Sequence, residues 1–365
     1  RPIDETPVRT EVIDRVEIER TGAITLKDAL ENLPGVNLTE VHGKSGYQLS
    51  MQGFGGDQVL VLIDGLPLTS STSSTADLSQ YLLVDVDRIE VVKGPASALY
   101  GSAAMGGVVN VITRPIPAGW SGRIEGDIGS RGSQNASGRS LDAALRHLLI
   151  ATDGGNEHWR WRVAGDTLRD DGFSEQPSQW PLRGDRIGRD QFLGRLEWLP
   201  IRDTRLYVEG SSYREDDEQR YNLLVPPRLV PQRKTEEVRR NRVLLGGDTL
   251  VRGWRARAAV VDEGFTSDSV GLSNDVPVTT RSADMDLQHL SLQLDAPAWR
   301  RQIWQVGLDW HRDTLAQWAN GTSETVGSGE VDRRSLEAWL QGEWLYSDDG
   351  ELAAGLRWQD DSDFG

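Results

Sequence analysis

The 365-residue chain contains no cysteine, which excludes disulfide bonds and thiolate metal sites. It has no excess of positive charge, because 56 acidic residues outnumber 40 basic ones and give a formal net charge of −16. Nucleic-acid binding needs a basic surface, so nucleic acid is excluded as a partner. The five histidines lack metal-ligand spacing, and no nucleophile or phosphate-binding motif is present. The sequence therefore argues against an enzyme and indicates no metal or other cofactor.

The chain also lacks a run of about 18 apolar residues, so we expect no membrane-spanning helix. A membrane β-barrel escapes this test, because only every second residue of its strands meets lipid. Thirteen tryptophans against five phenylalanines are typical of membrane interfaces. A soluble β protein with many aromatic core positions has the same composition, so both classes stay open. The first residues, Arg1 to Glu5, have no apolar core, and we expect the sequence to begin after a processing site.

The most informative stretch is residues 88–114, RIEVVKGPASALYGSAAMGGVVNVITR. Both of its ends are rich in β-branched and apolar residues and predict strands. Lys93-Gly94-Pro95 ends the first strand, because glycine permits positive φ and proline removes a hydrogen-bond donor. The small residues between the two strands allow the backbone to pack closely against a neighbouring element.

This stretch resembles the end of the plug domain of TonB-dependent outer-membrane receptors. LKDALENLPGVNL at residues 26–38 resembles the first plug helix of that family, and MQGFGGDQVLVLIDGLPL at residues 51–68 resembles its central strand pair. The three segments occur in the order that the family has. The resemblance implies an α+β plug domain over residues 1–117, followed by antiparallel strands of a transmembrane β-barrel over residues 118–365. It also implies the outer membrane of a Gram-negative bacterium as the location.

Two short elements are predicted before this stretch. Residues 8–18 are strand-like, and residues 21–33 predict a helix with Thr25 as its N-cap. Leu26, Ala29, Leu30 and Leu33 share one face of this helix. Pro34-Gly35 ends it.

Alternation of apolar and polar residues dominates the chain after a linker at residues 115–119. Trp159, Trp161 and Val163 alternate with Arg160 and Arg162, and the same pattern recurs around residues 254–260, 290–294, 304–311 and 352–359. Period two predicts strands with one apolar face. We expect about eleven of them, at residues 120–129, 139–152, 157–168, 190–200, 204–215, 239–250, 254–265, 284–296, 300–312, 334–346 and 351–360.

The connections between these strands favour a barrel over a soluble sandwich. Short turns alternate with long polar loops, which we predict at 170–189, 215–237, 265–283 and 314–332. Outer-membrane barrels have short periplasmic turns and longer outer loops. Plugged transporters have about 22 strands, so eleven strands correspond to half of such a barrel. Residues 363–365 read as a loop, and we expect further strands beyond them.

The resemblance also implies the ligand-contacting residues, because two plug loops of the family rise toward the outside. The first loop contributes Tyr47 and Gln48, and the second contributes Thr69, Ser70, Ser71, Thr72, Ser73 and Ser74. Hydroxyl and amide groups bind a polar ligand without a fixed charge. From composition alone, the same segments read as flexible solvent loops.

Charged residues suggest two further features. Arg88, Lys93 and Arg114 are candidate contacts from the plug to barrel carboxylates such as Glu209, Glu337 or Glu343. Clustered carboxylates suit hard cations, and cobalamin receptors of the resembled family bind calcium in early outer loops. The candidates lie in two groups, Asp166, Asp170, Asp171, Asp185 and Asp190, and Glu215, Asp216, Asp217 and Glu218. We favour the alternative that these are solvated loops, bridged to lipopolysaccharide through divalent ions.

The resemblance implies a transporter energised by TonB and its inner-membrane complex, although no TonB box is recognisable. ADLSQ at residues 76–80 and the SDFG ending resemble cobalamin and catechol-siderophore receptors. A ferric siderophore is favoured as the ligand, because most of the family takes up iron chelates. Cobalamin is the alternative, and haem is disfavoured without a histidine pair. The rival from another class is a non-transporting, β-rich binding or adhesion protein.

Overall fold

The computed structural model describes residues 10–40, 46–68, 77–94, 104–325, 330–347 and 350–362. A small α+β unit is followed by a large antiparallel sheet. We call the described residues up to 116 the plug and the large sheet the wall. The predicted fold class, an α+β unit followed by antiparallel strands, is confirmed.

The plug consists of short elements: β1 (Thr10–Asp14), α1 (Arg15–Thr21), α2 (Leu26–Leu30), β2 (Val36–Glu40), β3 (Tyr47–Met51), β4 (Val59–Ile63), β5 (Leu66–Pro67), β6 (Val86–Lys93) and β7 (Gly107–Thr113). Five strands form a sheet in the order β1-β6-β7-β4-β5, and β2 and β3 form a separate pair. β6 pairs antiparallel with β7 from Val86↔Thr113 to Lys93↔Gly107. The strand–loop–strand pattern predicted for residues 88–114 is therefore confirmed.

Both plug helices are capped by side chains. Thr25 accepts from the backbone N–H of Asp28, and the Asp28 side chain accepts in return from the backbone N–H of Thr25, which confirms the predicted N-cap. The helix is shorter than predicted and ends at Leu30. The strand predicted to reach residue 18 ends at Asp14 instead, because the Asp14 carboxylate caps α1. No helix in the described ranges is long and apolar enough to cross a membrane.

The plug core lies between its helices and its five-stranded sheet. Leu26, Leu30, Ile89 and Val109 are completely buried there. Gly107 has a φ of 141°, and a Cβ at this position would overlap the Val92 carbonyl oxygen. Close approach of β6 and β7 thus requires glycine at this position.

The wall begins directly after the plug and is made of twelve strands within the described residues: β8 (Gly119–Gly129), β9 (Leu145–Gly155), β10 (Trp159–Asp170), β11 (Arg186–Trp198), β12 (Thr204–Val225), β13 (Arg228–Val251), β14 (Trp254–Ser273), β15 (Val276–Asp295), β16 (Gln302–Ala319), β17 (Thr322–Ser323), β18 (Val331–Leu345) and β19 (Glu351–Asp361). Eleven strands pair in sequence order, and the two-residue β17 pairs with β16. The eleven predicted strands are all present.

Two of the four predicted long loops are wrong, because nearly all of residues 215–237 and 265–283 belong to strands. β12 and β13 pair without interruption from Thr204↔Thr249 to Val225↔Arg228. Their charged residues suit a ladder, since oppositely charged side chains meet across strands. Arg214 lies 3.3 Å from Glu237, and Arg233 lies 3.8 Å from Glu218. The loop predicted between β10 and β11 is present and ends earlier than predicted, and the loop predicted at residues 314–332 begins later than predicted, after β16 ends at Ala319.

The two faces of the wall differ in polarity. Large apolar side chains such as Trp161, Val163 and Leu245 are exposed on the outer face. Alternate residues such as Arg162 and Glu263 are only 1% exposed on the inner face, where the plug packs. Apolar plug residues also reach the wall: Leu66 packs against Leu244 and Val261. The plug therefore packs on the charged face of the wall, and the apolar face lies on the opposite side.

Candidate functional site

The plug docks on the wall through a single turn of 3-10 helix, Leu78–Gln80. Asp77 begins this turn, and the side chains of all three turn residues are buried. Arg189 of β11 donates through Nη2 to the Ser79 hydroxyl at 3.3 Å. Arg240 of β13 donates through Nη2 to the Gln80 amide oxygen at 2.9 Å. Two wall arginines therefore hold consecutive residues of one plug turn.

Arg240 is surrounded by aromatic rings as well as polar partners. Its guanidinium lies 4.3 Å from the ring centroid of Tyr81, 5.4 Å from that of Tyr213 and 5.7 Å from that of Phe265. Cation–π contacts strengthen when they are desolvated. Burial also raises the pKa of Tyr81 to about 12, so its hydroxyl stays protonated at neutral pH. Arg240 thus joins the plug to three strands of the wall.

A second contact lies where the chain leaves the plug for the wall. Arg162 of β10 donates through Nε to Asp153 at 2.5 Å and through Nη1 to the Arg114 carbonyl oxygen at 2.8 Å. The same Nη1 bonds the Asp85 carboxylate of the plug. Arg114 in turn donates to Asp153 at 2.7 Å. Two arginines and two aspartates thus form one ion-pair network, which we call the exit anchor.

Neighbouring wall arginines extend the exit anchor. Arg123 of β8 donates to the Val84 carbonyl oxygen at 2.7 Å, and Arg160 of β10 donates to the Ile116 carbonyl oxygen at 3.1 Å. Burial raises the pKa of Asp85 to about 7, against the opposing effect of the Arg162 guanidinium. The segment that leaves the plug is therefore held by backbone and side-chain contacts together.

Between these two contacts lies a cavity of about 100 Å³. It is bounded on the plug side by Asp64, Gln80 and Tyr81, and on the wall side by Glu209, Arg240 and Glu263. Apolar residues also line it, among them Leu82, Val84 and Leu244. Leu82 and Val84 of the plug pack in addition against a cluster of buried wall residues that includes Val238 and Phe265. Between the turn and the exit anchor, the plug therefore meets the wall through apolar contacts beside this cavity.

Tyr47 and Gln48 begin β3, and both are partly buried. The backbone N–H of Tyr47 donates to Asp77 Oδ1 at 3.0 Å, and the Lys27 ammonium lies 4.9 Å from the Tyr47 ring centroid. The structure thus brings the first predicted ligand segment against the docked turn. The second predicted segment, Thr69, Ser70, Ser71, Thr72, Ser73 and Ser74, lies outside the described residues.

The three cations predicted to contact the barrel have different partners. Arg114 pairs with Asp153 of β9. The prediction is wrong for Arg88, which pairs with Asp87 and Glu90, and for Lys93, which pairs with Glu11. These two residues lie on β6, and β6 is inside the plug sheet between β1 and β7. Their nearest carboxylates are therefore in the plug.

The wall carboxylates suggested as their partners are also engaged elsewhere. Glu209 lies 3.0 Å from Arg195, Glu337 pairs with Arg357, and Glu343 accepts from Gln341 at 3.3 Å. At the turn and the exit anchor, carboxylates and amides of the plug meet arginines of the wall instead. The sequence signal for these arginines was the alternation of Arg160 and Arg162 with tryptophan, which predicted an inner face but no partner.

The acidic residues weighed as calcium ligands are paired with cations. Asp166 lies 3.1 Å from His147, Asp170 lies 2.6 Å from Arg131, and Glu215 lies 2.5 Å from Arg189. Glu215 also belongs to β12 and to no loop. Within the described ranges, no group of three or more His, Asp or Glu side chains is placed to hold a metal ion.

Comparisons with known proteins agree with this architecture. Residues 2–108 match the model of the TonB-dependent receptor plug domain. A vitamin B12 transporter, BtuB, from Vibrio cholerae is 35% identical over 179 residues, which are 49% of this chain and 28% of that protein. The chain thus spans only part of the length of the curated relatives that it matches.

Solved structures of receptors share the fold of the whole chain. The siderophore receptor PirA from Pseudomonas aeruginosa superimposes with a TM-score of 0.73 at 22% identity, covering 99% of this chain and 57% of that one. The ferric enterobactin receptor PfeA from the same organism superimposes with a TM-score of 0.78 at 19% identity, covering 98% of this chain and 58% of that one. Residues 2–108 thus match the plug domain of the TonB-dependent receptors, and the wall that follows has the fold of part of such a receptor.

Proposed function

We propose that the protein takes up a ferric siderophore across the outer membrane of a Gram-negative bacterium, energised by TonB and its inner-membrane complex. The observation that carries the proposal is the plug turn Leu78–Gln80, buried among arginines on the inner face of the wall. A plug that fills the wall blocks passage until it moves. The activity is therefore binding and gated transport, and it needs no covalent chemistry on this chain.

Tyr47 and Gln48 are our candidates for ligand contacts. Both lie at the start of β3, and the Tyr47 ring carries a phenol that donates and accepts hydrogen bonds. The hydroxyl run Thr69–Ser74 stays a prediction for the second contact. The limits predicted for the two domains, 1–117 and 118–365, also stay a prediction, and we use them to define the plug in the experiments below.

The geometry of the plug sheet suits a pull from its N-terminal side. β1 lies at the edge of the sheet and pairs with β6 over five residues, from Thr10↔Val92 to Asp14↔Arg88. An edge strand that pairs on one side separates with fewer broken hydrogen bonds than a central strand. We therefore propose that TonB displaces β1 before the interior strands of the plug.

Cobalamin is the second candidate ligand, and the identity to vitamin B12 transporters favours it. One observation argues against a cobalamin site that is assisted by calcium bound to the acidic outer loops. Asp166, Asp170 and Glu215 are neutralised by His147, Arg131 and Arg189. A divalent cation would have to displace these partners, so the ferric siderophore stays our first proposal.

Uptake by a strain that lacks the gene, with and without a plasmid copy, tests the proposal. We expect the copy to restore uptake of ferric enterobactin labelled with radioactive iron, and to restore none in a strain that also lacks TonB. Labelled cyanocobalamin is the parallel probe, and its uptake alone would favour the second candidate. Recovery of the protein in outer-membrane fractions without uptake of any iron chelate or cobalamin would support the non-transporting rival.

A further inference from the structure

Asp77 is a buried carboxylate to which the proposed function gives no role. It is 2% exposed. Its Oδ1 atom accepts from the backbone N–H of Tyr47 at 3.0 Å, from the backbone N–H of Ser79 at 3.0 Å and from the Ser79 hydroxyl at 2.7 Å. Three donors thus converge on one oxygen, and they come from two plug segments that are 30 residues apart.

The segment that Asp77 holds needs such a tie. β3 pairs with β2 from Tyr47↔Glu40 to Met51↔Val36, and these two strands form a sheet of their own. An isolated two-stranded sheet is marginally stable in water. Gly46 is adapted to the contact, because a Cβ at this position would overlap Asp77 Oδ2. Asp77 therefore ties the start of β3 to the docked turn, in addition to the pairing with β2 and the burial of Leu49 and Met51 in the plug core.

A chain of hydrogen bonds continues from Asp77 into the wall. Arg189 Nη2 donates to Ser79 Oγ at 3.3 Å, and Ser79 Oγ donates to Asp77. Arg189 Nε also donates to Glu215 Oε2 at 2.5 Å, and the Tyr213 hydroxyl donates to the same oxygen at 2.7 Å. The backbone of Tyr47 is thus connected to β11 and β12 through Asp77 and Ser79.

We propose that Asp77 is a positioning residue, which fixes the start of β3 to the wall through Ser79 and Arg189 and so holds Tyr47 and Gln48 in place for the ligand. The part that concerns the ligand depends on the function proposed above. The part that concerns β3 depends only on the contacts described here. A neutral acceptor is sufficient for this role, because the three donors meet one oxygen.

Four variants of the complete receptor test the proposal. Asp77→Ala removes the acceptor, and Asp77→Asn keeps an oxygen at Oδ1. Ser79→Ala removes the hydroxyl that links Asp77 to Arg189 and leaves the two backbone donors to Asp77 in place. Asp14→Ala is the matched control, because Asp14 also accepts from a backbone N–H two or three residues ahead but caps α1 instead. Hydrogen exchange of the Tyr47–Met51 amides is measured without ligand, and the affinity for ferric enterobactin is measured in parallel.

We expect Asp77→Ala to speed exchange of the β3 amides and weaken ferric enterobactin binding by about tenfold each, the loss expected for one or two hydrogen bonds. Asp77→Asn should stay within about threefold of the unmodified receptor in both readouts, and Ser79→Ala should fall between. Asp14→Ala should change neither.

Unchanged exchange in Asp77→Ala would overturn the proposal, whatever ligand the receptor takes. Faster exchange with unchanged affinity would overturn the part that concerns the ligand. An unmodified receptor that binds no ferric enterobactin would refute the siderophore function, and the exchange results would still decide the role of Asp77 in the fold.

Discussion

Two of the places at which the plug meets the wall differ in chemistry. In the exit anchor, carboxylates of Asp85 and Asp153 bond directly to the guanidinium of Arg162. At the docked turn, Asp77 accepts from N–H and O–H groups, and Arg189 reaches it through the Ser79 hydroxyl. A buried ion pair resists separation, because each partner is left as an unpaired charge. Hydrogen bonds with a single charged partner contribute about 1.5–3 kcal/mol each. The exit anchor should therefore stay closed while the turn end of the plug rearranges.

The largest effect should come from removing the cation of the exit anchor. In Arg162→Met, Asp85 and Asp153 lose their shared guanidinium while both stay buried. We expect the free energy of plug unfolding to fall by about 3–5 kcal/mol, as for other buried ion pairs that lose one partner. The loss of unfolding free energy is measured by denaturant unfolding, with hydrogen exchange of the plug amides as the readout.

Arg205→Met is the control for this variant, because Arg205 pairs with Asp248 at 2.8 Å but is 40% exposed. Exposed ion pairs contribute about 0–1 kcal/mol, and so we expect a small effect. Equal losses in the two variants would show that burial adds nothing, and the exit anchor would then be no firmer than the wall surface.

The sequence allowed us to predict the strands and helices that form the two contacts. It did not allow us to predict the contacts themselves. Alternation with Trp159 and Trp161 placed Arg160 and Arg162 on the inner face of a strand. The Thr25 cap and the strands on either side of residues 94–106 were also predictable, because each depends on neighbouring residues. Asp85 and Arg162 are 77 positions apart, and local patterns carry no information about such a pair. The register that brings them together is set by how the whole plug sits in the wall.

Wrong predictions had the same origin. Arg88 and Lys93 are charged residues at strand ends, and the sequence does not tell whether such a strand lies at the edge or in the interior of the plug sheet. The run at residues 215–237 is rich in charge and was predicted as a loop. It forms strands because neighbouring strands supply opposite charges, as Arg214 and Glu237 do at 3.3 Å. Composition alone gives the loop prediction whenever the pairing partner is distant in sequence.

A smaller effect is expected at the docked turn from Arg240→Met. The variant loses the hydrogen bond to Gln80, the cation–π contacts, of which the one with Tyr81 is the shortest, and the 3.4 Å contact with Glu263. Glu263 keeps its contact with Arg242 at 3.0 Å. We expect the free energy of plug unfolding to fall by about 2 kcal/mol, which is what one hydrogen bond and one desolvated cation–π contact contribute together. Arg255→Met, an exposed arginine of the adjacent strand β14, is the control. A loss at Arg240 that matches the loss at Arg162 would remove the distinction between the two contacts.

The smallest effect should be a pH dependence of plug stability that comes from the exit anchor and not from the docked turn. Burial raises the pKa of Asp85 from 3.8 to about 7, so the docked plug binds this proton more tightly than the unfolded plug does. A group with a raised pKa adds stability that is complete below its unfolded pKa and is lost as the pH rises through its folded pKa. Between about pH 6 and pH 8, we expect this group to lower the free energy of plug unfolding by about 1 kcal/mol. Asp85→Asn should remove that slope and leave the rest of the profile. A stability that rises over the same window in the unmodified receptor, and is flattened by Asp85→Asn, would mean that the ion pair with Arg162 outweighs burial and keeps Asp85 ionised.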